Sequence, residues 1–207
     1  MGRKIVVTSG KGGVGKTTLT ASLGIAIAET GKKVVLVDAD IGLNNLDVVL
    51  AVENKVVYDV LDVISGKCRL KQALIQDVDN PTLYVLPSAK IQDSPLITAC
   101  SFRNVVDALA LNFDFVIIDC PAGIDNGFHR AVSAATEAIV VTTPHISAVR
   151  DADKVLSILS GYCLMSVGLV VNRVRGDMVS KGEMMSAGDI VRAVRCEPVG
   201  VIPEDDY

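Results

Sequence analysis

The sequence predicts an α/β fold in which a mostly parallel, twisted β-sheet carries helices on both faces. Short apolar runs rich in Val and Ile alternate with segments of helical spacing along the chain. Continuous apolar strands of this kind are typical of parallel sheets that are buried on both faces. Half of the 207 residues are hydrophobic and only 4% are aromatic, so the core must be mainly aliphatic.

The predicted elements alternate as strand and helix almost throughout. Seven apolar runs are predicted as strands: residues 5–8, 34–37, 82–86, 115–118, 138–142, 167–171 and 199–202. Helices are predicted over residues 17–29, 102–110 and 147–159, and a last helix closes with residues 190–194. The mixed segment 41–71 has helical spacing at Val57, Val60, Leu61 and Ile64. No linker interrupts the pattern, which favours one domain over residues 1–207.

Composition argues against several classes of protein. The apolar runs are shorter than the roughly 18 to 20 residues of a membrane span, and the start has no signal-peptide pattern. The net charge is −4 without a block of Lys or Arg, so general nucleic-acid binding is not expected. Five scattered cysteines are interpreted as reduced core residues of a cytosolic protein: Cys68, Cys100, Cys120, Cys163 and Cys196.

A glycine-rich stretch after the first predicted strand has the pattern G-x-x-x-x-G-K-[ST]. It consists of Gly10, Lys11, Gly12, Gly13, Val14, Gly15, Lys16 and Thr17. Such a loop wraps a triphosphate with its backbone N–H groups, beside a helix N-terminus that favours anions. Lys16 is expected to meet the β- and γ-phosphates of ATP, and the Thr17 hydroxyl to bind Mg²⁺. The alternative is a glycine-rich turn before a helix, which the flanking strand and helix disfavour.

A second lysine, Lys11, lies inside this loop. Because Lys16 already serves the phosphates of its own chain, the useful role for Lys11 is on the ATP of a partner chain. There it would neutralise transition-state charge as an arginine finger does. A solvated loop lysine is the alternative.

Residues 11–18 (KGGVGKTT), which include Thr18, resemble the signature of the MinD/ParA group of deviant Walker-A ATPases. Residues 38–47 (DADIGLNNLD) and 119–124 (DCPAGI) are similar to the two switch regions of the MinD branch of that group. The resemblance implies a three-layer P-loop NTPase fold and an Mg-ATP-dependent dimer that hydrolyses ATP to ADP and phosphate. It further implies a role in placing the bacterial division septum.

The resemblance also assigns roles to residues that end or follow predicted strands. Asp40 is expected to position or activate the attacking water, while Asp38 and the Walker-B carboxylate Asp119 are expected to serve Mg²⁺. Asn172 and Arg173 end a late strand, where the asparagine resembles an adenine-reading residue, and Pro203 belongs to the segment that flanks the base. Helix capping is the alternative for the acids, and turn chemistry is the alternative for Asn172.

The expected partners come from the same resemblance. The helix predicted from Ser147 presents a polar face of Arg150, Asp151, Asp153 and Lys154. In the MinD branch this helix lies near the dimer edge, where a MinC-like division inhibitor and a MinE-like or other activator dock; a solvated face is the alternative. Asn44 and His145 stand where relatives often have a basic and an acidic residue. His129 and His145 have no metal-ligand companions at recognisable spacing, so surface positions are expected.

The last residues lack the basic amphipathic helix with which members of this group bind membranes. We therefore expect a domain that is incomplete at its C-terminus, with membrane lipid as a partner of the full-length protein but not of this chain. The expected location is the cytoplasm, with ATP-dependent peripheral association with the inner face of the cell membrane in the full-length protein.

Three other functions fit parts of the pattern. A ParA-type segregation ATPase would need salt-sensitive DNA binding, which the acidic balance disfavours. Electron transfer, as in the nitrogenase iron protein, would need paired cysteines, and Cys100 and Cys120 lack the expected loop placement. A scaffold that binds nucleotide with negligible turnover is the third alternative.

Overall fold

The computed structural model describes residues 1–42, 45–89 and 94–205. Within them, the strands are β1 (Arg3–Thr8), β2 (Val34–Asp38), β3 (Ile75–Gln76), β4 (Leu83–Leu86), β5 (Phe115–Asp119), β6 (Glu137–Thr142), β7 (Ser166–Val174) and β8 (Glu197–Pro203). The helices are α1 (Lys16–Glu29), α2 (Leu46–Val49), α3 (Val60–Ile64), α4 (Leu70–Ala73), α5 (Ala99–Ala110), α6 (Asn126–Ala134), α7 (Ile146–Leu159), α8 (Gly176–Ser180) and α9 (Ala187–Val194), with a 3₁₀ turn at Glu53–Lys55.

The strands form one sheet in the order β3-β4-β2-β5-β1-β6-β7-β8. All neighbouring pairs are parallel except β3 and β4, which are antiparallel. The predicted α/β class, with a mostly parallel sheet and helices on both faces, is therefore confirmed. The carboxyl ends of the central strands β2, β5 and β1 meet at one edge, where open α/β sheets bind their ligands.

Two aliphatic layers hold the helices on the sheet. One layer packs α5, α6, α7 and α9 on one face, and its largest buried side chains include Phe102 and Phe128. The other layer packs α1 on the opposite face around Leu36 and Ile117. Gly24 of α1 lies directly over the Leu36 side chain, so the helix backbone approaches the sheet closely. This packing fixes the first turn of α1 at the edge of the sheet.

Side-chain caps explain several helix boundaries. Asp59 accepts hydrogen bonds from the backbone N–H groups of Leu61 and Asp62, so α3 begins at Val60. The prediction that Val57 belongs to this helical face is wrong, because Val57 precedes the cap and is 76% exposed. Thr98 caps α5 in the same way, and α5 therefore starts at Ala99, earlier than predicted.

The cysteine prediction is only partly right. All five cysteines are free thiols, and Cys120 is fully buried. Cys100 and Cys163 are exposed, so the prediction that the cysteines are core residues is wrong for these two. Cys100 lies in the first turn of α5, where the apolar face begins only at Phe102.

Among the described residues, no helix combines the length and the apolar character that a membrane crossing requires.

Replacing Leu36 by Ala tests the α1 layer. Leu36 is fully buried beneath Gly24, and we expect a loss of about 2–5 kcal/mol in the free energy of unfolding, measured by urea titration. The matched control is Leu111→Ala, at a side chain that is 70% exposed, where the change should stay within about 0.5 kcal/mol. Equal effects in the two variants would contradict this packing.

Candidate functional site

The glycine-rich loop joins β1 to α1 at the carboxyl edge of the sheet. Gly13 and Gly15 have φ values of 76° and 96°, which favour glycine because L side chains are strained there. Gly15 is the N-cap of α1, and no side chain within the described residues caps this helix. The first N–H groups of a 14-residue helix are therefore left to bind an anion.

Neighbouring elements hold the loop from two sides. At Gly10, a Cβ atom would collide with the backbone of Asp151, so the loop touches α7 directly. At Gly15, a Cβ atom would collide with the side-chain amide of Asn172 in β7. That amide donates a hydrogen bond of 2.8 Å to the carbonyl oxygen of Val14. The loop conformation is thus set by tertiary contacts as well as by its glycines.

The buried carboxylate of Asp119 at the end of β5 binds the first turns of α1. Thr17 Oγ1 donates to Asp119 Oδ2 at 2.6 Å, and Thr20 Oγ1 donates to Asp119 Oδ1 at 3.2 Å. Asp119 is the register partner of Asp38 in β2, so the two buried carboxylates lie at adjacent strand ends. The structure therefore brings Thr17, Asp38 and Asp119, the three residues predicted to serve Mg²⁺, to one place.

Asp38 shapes the segment that carries Asp40. Its Oδ1 accepts from the backbone N–H of Asp40 at 2.9 Å, and its Oδ2 accepts from the N–H of Leu46 at 3.2 Å. These bonds fix the chain direction after β2, while the Asp40 side chain remains only half-buried. Asn44, which stands where relatives often have a basic residue, lies outside the described residues.

Burial raises the pKa of all three carboxyl groups in this cluster. For Asp38 it raises the pKa to about 7, opposed by the N–H groups of Asp40 and Leu46 and reinforced by the charge of Asp119. The pKa of Asp119 and that of Asp40 are also raised by burial, and the Lys16 ammonium group opposes both shifts. Lys16 is thus close enough to interact electrostatically with Asp40 and Asp119, and the cluster favours a cation.

Lys11, within the loop, contacts the first turn of α7. It is exposed, and its Nζ lies 3.2 Å from Ser147 Oγ in the first turn of α7 of the same chain. Sequence reasoning missed this contact, as it missed Thr20 and Ser9, whose Oγ donates to the Lys11 carbonyl oxygen at 2.8 Å. Serine and threonine follow no specific spacing rule. For Ser9 and Thr20, the one sequence signal of a role in the site is their position beside the glycine-rich motif.

The residues predicted to surround the adenine lie on β7 and β8. Asn172 and Arg173 do not end their strand as predicted, because β7 continues to Val174, which pairs with Pro203. Arg173 has a φ of 59° within this irregular pairing. Asn172 Oδ1 accepts from the Arg173 N–H at 3.0 Å, so its amide is engaged at both ends. Base reading by Asn172 stays a prediction.

The remaining predicted residues lie around this centre. Gly12 and Thr18 are exposed beside the loop, and Gly12 faces Ala122 of the second switch-like segment at 3.9 Å from its expected Cβ position. The two histidines, His129 and His145, are exposed, as predicted. On α7, Arg150, Asp153 and Lys154 are exposed and Asp151 is half-buried, with an ion pair of 3.3 Å between Lys154 and Asp151.

Comparisons with known proteins agree with this geometry. Residues 2–161 match the family described as an AAA domain. The septum site-determining protein MinD of Bacillus subtilis is 48% identical over 208 residues, which cover 100% of this chain and 78% of that protein. The chain belongs to the MinD family.

Two solved MinD structures have the same fold. MinD in the MinC:MinD cell division protein complex of Aquifex aeolicus is 43% identical, with a TM-score of 0.90 over 99% of this chain and 82% of that one. MinD of Pyrococcus horikoshii OT3, complexed with Mg-ADP, is 35% identical with a TM-score of 0.86, again over 99% and 82% of the two chains.

In this MinD-family loop, Gly15→Ala should weaken nucleotide binding at least about 10-fold more than Gly13→Ala. Both positions have positive φ and cost about 1–2 kcal/mol with Ala, but only Gly15 also meets the Asn172 amide, whereas nothing lies within 4 Å of Gly13. Fluorescence titration with a ribose-labelled ATP analogue measures the affinities. In an Asn172→Gly background, where both chains lack the amide, Gly15→Ala should cost less affinity than it does in the natural chain; an equal cost in the two backgrounds would argue against the collision.

The raised pKa of Asp38 predicts a pH-dependent stability. Between its ordinary pKa of 3.8 and about 7, the folded chain holds a proton that the unfolded chain releases. Stability from this group is therefore present at low pH and is lost as the pH rises toward 7, by at most about 4 kcal/mol. Urea unfolding in EDTA should show this loss reduced in Asp38→Asn and retained in the exposed control Asp153→Asn.

Proposed function

We propose that this MinD-family chain is an Mg-ATP-dependent dimerising ATPase that regulates placement of the bacterial division septum. The observation that carries the proposal is the uncapped N-terminus of α1 beside three clustered carboxylates at one sheet edge. An anion site next to a cation site is what a metal-bound nucleotide requires. The names of the relatives add the cellular role, septum-site determination.

The loop residues 10–18 would hold the phosphates. Their backbone N–H groups and the N-terminus of α1 favour negative charge, and the Lys16 ammonium group adds a positive charge near Asp40 and Asp119. Asn172 and Pro203, on β7 and β8, are the candidates for the base. Asn172 also holds the loop through Val14, so it would connect base binding to phosphate binding.

Thr17, Asp38 and Asp119 fit a Mg²⁺ ion. Both carboxylates are buried and have raised pKa values, so a divalent cation would offset the cost of ionising them. The described residues contain no group of three His, Cys, Asp or Glu residues able to hold a metal ion, so the ion would depend on the phosphates for further ligands. When bound, it would neutralise charge on the phosphates.

Asp40 and Lys11 would complete the chemistry. Asp40 is half-buried after β2, and burial raises its pKa, which suits a group that orients water and accepts a proton from it. Lys11 contacts Ser147 of its own chain at 3.2 Å and is exposed, so its amine can leave that contact and approach a partner's nucleotide. Its charge there would stabilise the transition state, and hydrolysis would separate the dimer.

The partners follow from family membership. MinC is the protein bound to MinD in the Aquifex aeolicus complex, and we propose a MinC-like inhibitor as a partner of this chain. We propose that a MinE-like or other activator binds the polar face of α7. This helix begins beside Lys11, so an activator bound there would be sensitive to the position of the Lys11 side chain. We propose a cytoplasmic location, with ATP-dependent peripheral association of the full-length protein with the inner face of the cell membrane.

A DNA-segregation role has weaker support. The ParA-family ATPase of Chlorobium tepidum has a TM-score of 0.82 but is only 21% identical, which indicates the fold alone. A nucleotide-binding scaffold without turnover shares the same loop and carboxylates. The rate of phosphate release separates the scaffold from the ATPase, and salt-sensitive retention on DNA with ATP would favour the segregation role.

The dimer is tested by light scattering with Mg-ATP and with ADP. Asp40→Ala should slow hydrolysis and leave a dimer with ATP, whereas ADP should give a monomer. Lys11→Ala should remove the dimer and lower turnover by about 10³-fold or more, because the in-trans charge is lost. Lys181→Ala, at an exposed lysine after α8, is the control and should change neither. A dimer that persists in Lys11→Ala would rule out the in-trans role.

A further inference from the structure

A groove of about 620 Å³ lies between α4, the edge strand β3 and the C-terminal end of α5. Leu70, Leu74 and Leu109 are the leucines of its lining and form an aliphatic wall. Lys33, also in the lining, directly precedes β2, and Phe113 lies two residues before the start of β5. The groove is therefore at the amino edge of the sheet, opposite the glycine-rich loop, and goes beyond the proposed ATPase function.

The floor of the groove is aromatic in a chain with few aromatic residues. Tyr84 and Phe113 pack edge to face, with ring centroids 5.3 Å apart and an interplanar angle of 72°. Both rings are only partly buried. The volume is that of a small ligand site, so the floor and the leucine wall can take one large apolar side chain.

The rim of the groove is positively charged. Lys33 and Lys71 are the charged members of the lining, which contains no Asp or Glu. Both lysines are exposed, and within the described ranges neither amine forms an ion pair. A basic rim around an apolar floor is distinctive on a chain of net charge −4.

Three acidic residues near the groove have hydrogen-bond or ion-pair partners within the chain. Asp114 accepts from the backbone N–H of Lys33 at 2.9 Å, and Asp107 pairs with Lys4 at 2.6 Å. Asp77 accepts from the N–H groups of two residues in its own turn, at 3.0 and 2.7 Å. None of the three pairs with the amine of Lys33 or Lys71, so both amines remain available to carboxylates from outside the chain.

We propose that this groove docks an acidic peptide segment of another protein. One apolar side chain of the peptide occupies the space over Tyr84 and Phe113, while its carboxylates pair with Lys33 and Lys71. Charge complementarity selects this occupant, because a basic peptide would meet two like charges at the rim. The apolar anchor supplies the affinity, and the charges supply the selectivity.

The probe is a fluorescein-labelled, end-blocked pentapeptide with one phenylalanine between two pairs of glutamates. Fluorescence anisotropy should give saturable binding, with a dissociation constant of about 10–100 µM, weakened by added salt. The double variant Lys33→Gln/Lys71→Gln should weaken binding at least 10-fold. The matched variant Lys55→Gln/Lys181→Gln removes two exposed lysines elsewhere and should leave it unchanged. Alanine in place of the phenylalanine should also weaken binding about 10-fold.

Three results would overturn the proposal. The first is no saturable binding of the glutamate–phenylalanine peptide up to about 1 mM. The second is binding that is insensitive to Lys33→Gln/Lys71→Gln, or equally sensitive to the matched variant. The third is capture of phosphatidylserine vesicles through Lys33 and Lys71 without peptide binding, which would assign the groove to a lipid surface. ATP turnover, measured in parallel, is expected to be the same in both double variants. The peptide-binding test can therefore succeed or fail independently of the proposed ATPase activity.

Discussion

The hydrogen bonds between the Asp119 carboxylate and α1 are the interaction on which the site depends. Asp119 ends β5 in the middle of the sheet and is almost completely buried, so its charge needs partners. Thr17 and Thr20, three residues apart on one side of α1, supply them. These bonds connect the helix N-terminus, and with it the end of the loop, to the central strands. Preorganisation of this kind lowers the entropic cost of holding a phosphate.

The second buried carboxylate organises the segment after β2 rather than a helix. Asp38 accepts hydrogen bonds from the backbone on both sides of the segment that includes Asp40. Two carboxylates at adjacent strand ends repel each other when ionised, and burial increases that cost. The fold therefore keeps an electrostatically unfavourable cluster at the one edge where a ligand can relieve it. Acids whose pKa is shifted by burial and a neighbouring charge, at an edge where ligands bind, are candidates for a functional site.

The sequence contains most of the fold because the decisive signals are local. Buried parallel strands give continuous apolar runs, and the glycine-rich loop has a fixed spacing between its strand and its helix. The two-residue strand β3 and the short helices α2, α4 and α8 were not predicted, since no periodicity can develop over so few residues. Helix α6 is also not predicted, although Asp125 directly precedes it, because residues 119–124 are assigned to a switch region and no element is assigned to the residues that follow.

The candidate site was less accessible from sequence than the fold. The motifs located Asp38, Asp40 and Asp119 at strand ends, where parallel pairing brings them together. The contacts of Asn172 with Val14 and of Lys11 with Ser147 join residues that are more than a hundred positions apart. Motif spacing cannot predict contacts between such distant residues, because these contacts arise from the tertiary packing of β7 and α7 against the loop.

The central place of β1 also affects the order in which the chain can fold during synthesis. Residues 3–8 leave the ribosome before the strands with which they pair, since their two sheet neighbours are β5, from residue 115, and β6, from residue 137. An apolar strand must therefore wait, unpaired, for more than half of the chain to be made. Domains with such distant pairings fold slowly and expose sticky strand edges to other chains. The pairing of β1 with β6 cannot be complete until residue 142 has emerged.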